Sequence, residues 1–204
     1  MIPKSLLPIL AALLVALSGC GMFSTRPAQP PGGGLIQVPP DFTSPDSLLA
    51  TMVRAIRDRS TTNFGLALAD TLLEHREFHA VFDPADIIEW QAAGHPNYPS
   101  DWRRNDELTL FPQFVANFPD ARYETYFTVD DNRGGKTNLG GPTQAQYWNM
   151  HYRVWSGTIP VAAGSAGLLF ERVGLAGEYR LTYWEDHRDT VNVRSWGKHR
   201  LEGR

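Results

Sequence analysis

The sequence has little of three features that would assign it to a function class. Its 204 residues include one cysteine, Cys20, so the chain cannot form an internal disulfide and its hydrophobic core must supply the stability. Lysine and arginine together number 19 against 22 acidic residues, which excludes the basic surface typical of a nucleic-acid-binding protein. The apolar run from Leu6 to Leu17 is too short to cross a bilayer as a helix. The sequence also lacks a nucleophile elbow, a paired-cysteine motif and a dinucleotide-binding fingerprint. Because no cofactor-binding motif is present, we predict that the protein uses no cofactor.

The position of Cys20 is the most informative feature that is present. It ends the apolar run in the string Leu17-Ser18-Gly19-Cys20, one cation precedes the run at Lys4, and two small residues precede the cysteine where a processing peptidase needs room. The segment resembles the lipobox of bacterial lipoproteins. This resemblance implies a signal peptide over residues 1–19 and an acylated Cys20, palmitate being a typical acyl chain, that anchors the mature protein in a membrane. Gly21, where an aspartate would retain such proteins at the inner membrane, implies the outer membrane with the protein facing the periplasm.

Two alternatives for this segment are an ordinary signal peptide cut at another site and an uncleaved anchor helix. Either would leave Cys20 without a role. Residues 20–43 are rich in proline and glycine and poor in apolar residues, which predicts a tether between the membrane and a folded domain over residues 44–204.

The domain is predicted to begin with helices. Ser44-Pro45-Asp46 combines an N-cap hydroxyl, a proline at the first helical position and an acid in the first turn, so a helix is expected from Pro45 to about Arg59. A second helix is predicted from Thr62 to Leu73, with apolar residues repeating every four positions at Phe64, Leu68 and Leu72.

Beyond the second helix, apolar residues recur at every second position, as in a strand with one buried face. Phe78, Ala80 and Phe82 alternate with other residues and predict a short strand that ends at Asp83-Pro84. A short helix follows around Ile88. A third helix is expected to open at Trp102, with Ser100 or Asp101 as its cap, and to end or kink at Pro112.

The rest of the sequence, from Arg122 onward, predicts strands separated by glycine-containing turns. The turn after the second of these strands is predicted to extend from Gly157 to Gly164. These strands are expected at Arg122–Val129, Gln146–Ser156, Gly167–Val173 and Glu178–Asp186. The order α-α-β-α-β-β-β-β predicts an α+β domain in which three N-terminal helices pack in a curved, mainly antiparallel sheet.

This order, with a tryptophan opening the third helix and the closing strings Trp184-Glu185-Asp186 and Ser195-Trp196-Gly197, resembles the nuclear-transport-factor-like roll of the ketosteroid-isomerase and SnoaL-like superfamily. It is similar in particular to bacterial lipoproteins of unknown activity that carry such a domain. The resemblance implies a cystatin-like, cone-shaped cavity between sheet and helices. In different members that cavity is a catalytic site, a ligand pocket or a core.

Aromatic side chains are the candidates for a ligand-binding surface. Strict alternation over residues 146–156 places Trp148 and Tyr152 on one face, so both are predicted to line the cavity. Trp102 and Tyr126 are further candidates for this lining. Most of the remaining aromatic residues are expected in the core.

No residue is predicted to be catalytic or to bind a metal. Asp83 and Asp86 follow the first strand, but Asp83-Pro84 is typical of turn chemistry. His75 and His79 have metal-ligand spacing only if their segment is helical, and that segment is predicted to be a turn. Gly135-Lys136-Thr137 ends like a phosphate-binding loop, but it joins two strands and is predicted to be a hairpin turn.

The resulting hypothesis is a lipid-anchored, non-catalytic envelope domain that binds a small apolar ligand or an envelope protein. Two alternatives stay open. One is a cofactorless isomerase, cyclase or hydrolase of the same fold, and the other is a structural subunit that forms a homodimer through the sheet face. A buried carboxylate with a shifted pKa in the cavity would favour the enzyme.

Overall fold

The computed structural model describes residues 39–95, 97–126, 135–138, 142–173, 177–189 and 193–203. The predicted signal peptide, Cys20 and most of the tether therefore lie outside the described residues. The helices are α1 (Pro45–Arg57), α2 (Thr61–Ala67), α3 (Thr71–Glu74), α4 (Pro84–Ala92), α5 (Arg104–Asn117) and α6 (Trp196–Glu202). The strands are β1 (His79–Val81), β2 (Trp102–Arg103), β3 (Ala121–Tyr126), β4 (Gly135–Asn138), β5 (Gln144–Ser156), β6 (Ile159–Val173) and β7 (Glu178–His187).

The strands form one sheet in the order β2-β1-β7-β6-β5-β3, and β4 also pairs with β5. Strand β1 lies parallel to β7, whereas the other pairs are antiparallel. Helix α1 packs against β3 and β7, and α5 contacts α2 and α6. The predicted α+β class with a mainly antiparallel sheet is confirmed.

Helix α1 begins where the sequence predicts. The Ser44 hydroxyl accepts from the Ser47 amide at 3.1 Å, and the Ser47 hydroxyl accepts from the Ser44 amide at 3.0 Å, so the two residues cap the first turn reciprocally. Leu48, Met52 and Ile56 are buried on one face, as the apolar period requires.

The predicted second helix is interrupted. Helix α2 ends at Ala67 because Leu68 turns to an extended conformation and bridges to Leu181, after which the Ala69 amide donates to the Leu181 carbonyl at 3.0 Å. The chain forms the separate one-turn helix α3 only beyond this contact. Leu72, predicted on the core face of a continuous helix, is 89% exposed, so that part of the prediction is wrong.

The third helix also differs from its prediction. Trp102 lies in β2, and the capping contact at the start of α5 is between the Arg103 amide and a carboxylate oxygen of Asp106 at 3.0 Å. Pro112 lies inside a helix that continues to Asn117, so it does not end the helix. Proline removes one backbone donor, and the tertiary contacts of α5 outweigh that loss.

Two segments predicted as turns are strand. The connection between β5 and β6 is confined to Gly157 and Thr158, and Gly164 lies well inside β6. A Cβ atom at Gly164 would come 2.6 Å from the Tyr152 hydroxyl, so glycine is required there by close approach and not by a turn. Gly135–Asn138 pairs with β5 as β4, which corrects its assignment to a hairpin turn.

Candidate functional site

The C-terminal helix α6, which the sequence did not predict, packs into the interior of the roll. Its N-cap residue Ser195 accepts from the Lys198 amide at 2.9 Å through its hydroxyl. The Trp196 amide donates to the Tyr152 hydroxyl at 2.7 Å, and the Gly197 amide donates to Asp186 Oδ2 at 2.5 Å. Because the first amides of a helix have no partner within it, these buried acceptors fix the start of α6 against the sheet.

Tyr152 and Asp186 form a hydrogen-bonded pair beneath α6. The Tyr152 hydroxyl donates to Asp186 Oδ1 at 2.6 Å, and both side chains are fully buried. Burial raises the pKa of Asp186 above its ordinary value, although the positive charge of Arg200 and the hydrogen bonds to the carboxylate act in the opposite direction. Burial, followed by the nearby Asp186 charge, raises the pKa of Tyr152 well above its ordinary value.

A second buried cluster joins α5 to α6 through the Glu107 carboxylate. Arg200 Nε donates to Glu107 Oε2 at 2.8 Å. The Trp102 and Trp196 indoles donate to the same carboxylate at 2.7 and 2.8 Å. Each Glu107 oxygen is thus hydrogen-bonded, as a buried charge requires.

Aromatic rings fill the space around these two clusters. The Trp184 and Trp196 rings stack with centroids 5.9 Å apart, and the Tyr123 and Tyr152 rings stack at 5.7 Å. The guanidinium carbon of Arg200 lies 4.6 Å from the Trp184 ring. These side chains are buried, so the described interior of the cone is a packed core.

A surface cleft of about 420 Å³ lies beside this interior and is called the Asp86 cleft below. Its lining combines apolar and charged groups, among them Asp86, Phe118, Pro160, Val161, Arg188 and Lys198. Asp86 itself is buried. The cleft is formed where α4, the start of β6, the end of β7 and α6 meet.

Asp86 is a buried acid of this cleft, and its pKa is raised above the ordinary value. The Ser195 hydroxyl donates to Asp86 Oδ2 at 2.5 Å, and Arg188 Nη1 lies 3.7 Å from Asp86 Oδ1. Burial raises the pKa of Asp86, the hydrogen bond from Ser195 opposes the rise, and the charges of Asp83 and Asp186 add to it. A carboxyl group with a raised pKa, lining a cleft, has the properties required of a general acid or base.

The predicted ligand-binding residues do not come together. Tyr152 and Trp102 are buried in the interior, where both hold hydrogen bonds to carboxylates, and their role in ligand binding stays a prediction. Trp148 is not on the interior face: its indole donates to the Thr137 hydroxyl at 3.0 Å on the other side of the sheet. The side chain of Tyr126 lies outside the described part of the structure.

A β-bulge explains the wrong placement of Trp148. In the pairing of β5 with β6, Tyr147 lies opposite Leu168 and Met150 lies opposite Ala166, so two residues of β5 oppose one of β6. Asn149 has a positive φ of 52°. The bulge moves Tyr147 to the interior and Trp148 away from it, while Tyr152 keeps its predicted phase.

Three charged residues of the interior, Glu107, Asp186 and Arg200, were missed by sequence reasoning. Asp186 could have been found, because it lies two positions after Trp184 on a correctly predicted strand and therefore shares its face. Glu107 precedes Phe111 by one helical turn and shares its face in the same way. Arg200 belongs to a helix that the sequence did not indicate, so no signal pointed to it.

No protein-family model and no curated protein matches the sequence, whereas solved structures match the fold. A candidate dehydratase of the NTF2-like family from Streptomyces avermitilis aligns at a TM-score of 0.50 with 11% identity, over 71% of this chain and 92% of that chain. The domain has the NTF2-like fold. A protein of unknown function from Mycobacterium tuberculosis aligns at a TM-score of 0.51 with 13% identity, over 78% of this chain and 85% of that chain.

A third similar structure is a candidate association domain of calcium/calmodulin-dependent protein kinase type II from Thiobacillus denitrificans. It aligns at a TM-score of 0.50 with 11% identity, over 74% of this chain and 100% of that chain. At such identities the likeness concerns the fold alone. It confirms the predicted nuclear-transport-factor-like roll.

Among the described residues, no helix is long and apolar enough to span a membrane. The same residues contain no group of three histidine, cysteine or acidic side chains arranged to hold a metal ion. His75 ends α3 in a left-handed conformation, whereas His79 lies on β1 with Nδ1 3.3 Å from Asp101.

Proposed function

We propose that the protein is a lipid-anchored, non-catalytic domain of a bacterial cell envelope that binds a small, largely apolar molecule in the Asp86 cleft. The lipobox-like string ending at Cys20 supports the anchor and the outer-membrane location. We propose that the domain is non-catalytic because of the position of α6. This helix occupies the interior in which an enzyme of this fold would hold its substrate.

The buried carboxylate of Asp186 is committed to holding α6. Both oxygens of Asp186 accept hydrogen bonds, one from Tyr152 and one from the Gly197 amide, and Asp186 is fully buried. A general acid or base must come within hydrogen-bond reach of its substrate. Asp186 therefore serves as an acceptor that holds the helix in place.

The Asp86 cleft has the size and lining of a small-molecule site. Ligand pockets typically enclose roughly 300–1,000 Å³ and combine apolar walls with a few polar groups. Phe118, Pro160 and Val161 provide the apolar walls. Arg188 and Lys198 provide the donors, and both also pair with Glu89 of the same lining, at 2.5 and 3.4 Å. A molecule with an apolar body and one acceptor group fits this combination.

The anchor is tested by mass spectrometry of the protein extracted from membranes. We expect a chain that begins at Cys20 and carries acyl chains, and a Cys20→Ala variant that leaves the membrane fraction. An unmodified N-terminus at another residue, or a membrane-bound Cys20→Ala variant, would refute the anchor.

Binding in the cleft is tested with the fluorescent probe anilinonaphthalene sulfonate, which has an apolar body and one anionic group. Ile159 lines the cleft and is 67% exposed, so Ile159→Asp should reduce probe fluorescence at least fivefold without unfolding the domain. Ile88→Asp is the matched control, because Ile88 is 65% exposed on α4. Equal fluorescence of the two variants would contradict the proposed site.

Acid–base catalysis at Asp86 is the second candidate function, and the raised pKa of this cleft-lining residue favours it. Turnover of a bound compound that Asp86→Asn abolishes would show that the cleft catalyses a reaction and does not only bind. Retention of probe binding by Asp86→Asn would show that the variant is folded.

A further inference from the structure

Three leucines stand out from the domain surface on α2 and α3. Leu72 is 89% exposed, Leu73 is 75% exposed and Leu66 is 42% exposed. These residues are called the leucine patch. Exposed leucines are common singly, but a group of them on adjacent short helices indicates an interaction surface.

The patch is continuous across one arginine. Leu66 lines a groove of about 280 Å³ and Leu72 lines another of about 150 Å³, and Arg104 lines both grooves. Arg104 bridges the two helices, with Nη1 3.2 Å from Asp70 and Nη2 donating to the Gly65 carbonyl at 3.2 Å. Leu66 and Leu72 therefore border one surface, and the exposed Leu73 follows Leu72 on α3.

The backbone that presents Leu72 and Leu73 is held firmly. Asp70 Oδ1 accepts from the Leu72 amide at 2.9 Å, and Glu74 Oε2 accepts from the Asp70 amide at 3.0 Å. This reciprocal capping fixes the single turn of α3. The leucines are thus displayed by an ordered turn.

The carboxylates around the patch are paired with arginines. Besides the contact of Asp70 with Arg104, Glu74 lies 2.9 Å from Arg180 and Glu77 lies 2.9 Å from Arg103. Arg76 is exposed directly beyond α3. The surface is therefore not strongly acidic, and an anionic lipid headgroup would meet an exposed cation there.

The start of the folded domain lies at the same end as the patch. The Phe42 carbonyl accepts from the Tyr179 amide at 2.8 Å, and the Arg180 guanidinium lies 4.2 Å from the Phe42 ring. Arg180 in turn pairs with Glu74 of α3. The chain therefore enters the domain from the side that displays the leucines.

The Asp86 cleft lies at the opposite end. Strand β7 begins beside Phe42 and ends at His187, and Arg188, directly after it, lines the cleft. Ten strand residues span about 30 Å. One end of β7 therefore lies beside Phe42 and near the leucine patch, and the other end lies at the cleft.

We propose that the leucine patch docks on the lipid bilayer that holds acylated Cys20, with the Asp86 cleft facing away from the membrane. This inference rests on the proposed lipid anchor. The segment between Cys20 and residue 39 reaches at most about 65 Å when extended, so the anchored domain stays close to the bilayer and weak insertion of the leucines is sufficient. Arg76 would lie among the headgroups.

The test uses the full acylated protein in vesicles of phosphatidylethanolamine and phosphatidylglycerol. Because acylation consumes the thiol of Cys20, the only cysteine, a Leu72→Cys variant carries one reactive thiol that can be labelled with an environment-sensitive fluorophore. Spin-labelled lipids should quench this probe at least threefold more than the same probe on Ile88→Cys, the matched exposed position on α4 at the cleft end of the domain.

The other outcomes are distinguishable. Equal quenching at the two positions in a protein whose mass shows acylated Cys20 would overturn the docking while leaving the anchor intact. A mass without acyl chains would overturn the anchor and, with it, the docking that depends on it. A blue shift of the Leu72→Cys probe that depends on protein concentration in detergent, without lipid, would assign the patch to a second copy of the chain and overturn the membrane assignment.

Discussion

The Glu107 carboxylate and the Arg200 guanidinium are in contact at 2.8 Å although both side chains are fully removed from solvent. The two residues are 93 positions apart in the sequence and belong to different helices. The Trp102 and Trp196 indoles donate to the same carboxylate, so the ion pair is the centre of a network that joins β2, α5 and α6. A pair of this kind is costly to break, because the remaining charge stays buried.

Removing the positive partner should therefore unfold a substantial fraction of the protein. We expect Arg200→Met to lower the free energy of unfolding by about 3–5 kcal/mol, measured by urea denaturation. The double variant Glu107→Gln/Arg200→Met should cost less than the sum of the single changes, since it leaves no unpaired charge. Additive effects would contradict a direct coupling between the two side chains.

Gly164 and Gly167 on β6 provide a matched pair of substitutions. A Cβ atom at Gly164 would overlap the His187 carbonyl oxygen and lie 2.6 Å from the Tyr152 hydroxyl, whereas at Gly167 the nearest atom is the Glu185 Cβ at 3.6 Å. Gly164→Ala should lower the free energy of unfolding by about 1–3 kcal/mol because a packed core resists added volume. Gly167→Ala should leave the thermal midpoint unchanged or slightly raised. Similar midpoints for the two variants would show that Tyr152 does not approach the β6 backbone as described.

Local patterns predicted those elements that local interactions determine. Ser44 and Ser47 cap the start of α1. The buried face of α1 was predictable because its apolar residues recur at the helical period of 3.6 residues. The alternation of Phe78, Ala80 and Phe82 likewise predicts β1 correctly, because a strand with one buried face has a period of two. These features depend on residues that are close in sequence.

Features that depend on distant partners were not predictable in the same way. Helix α2 ends where Leu68 bridges to Leu181, a contact across more than one hundred residues. Trp148 leaves the interior face because a bulge is needed to match β5 to β6. Helix α6 is only seven residues long and is stabilised by buried acceptors on other elements, so its own sequence carries a weak signal.

Stability should depend on the protonation of His199. Burial lowers the pKa of this imidazole below its ordinary value of 6.5, and its Nε2 lies 2.8 Å from the Val161 carbonyl oxygen. The unfolded state then binds the proton more readily, so the contribution of neutral His199 is fully present above about pH 6.5. It is lost progressively as the pH falls from that value through the lower pKa of the folded state. Asp86 and Asp186 act in the opposite direction, because their raised pKa values favour the folded state in acid and the gain is lost as the pH rises through them.

The contribution of His199 can be separated by substitution. His199→Gln keeps a donor for the Val161 carbonyl but cannot be protonated, so it should lose less stability than the wild type between about pH 7 and about pH 5. Urea denaturation at each pH measures the difference. His187→Gln is the control, since that side chain is exposed. Parallel pH profiles for His199→Gln and the wild type would contradict the lowered pKa.

Trp148 and Trp184 should respond differently to truncation, because the bulge in β5 places only one of them outside the core. Trp184 is fully buried between Trp196 and the Arg200 guanidinium, so Trp184→Ala should lower the free energy of unfolding by about 3–5 kcal/mol. Trp148 is half-buried and its indole donates to Thr137, so Trp148→Ala should cost no more than about 1–1.5 kcal/mol. Urea denaturation of both variants measures these costs. A loss at Trp148 as large as that at Trp184 would mean that the ring lies in the interior, as strict alternation along β5 requires, and that the bulge between Tyr147 and Met150 is absent.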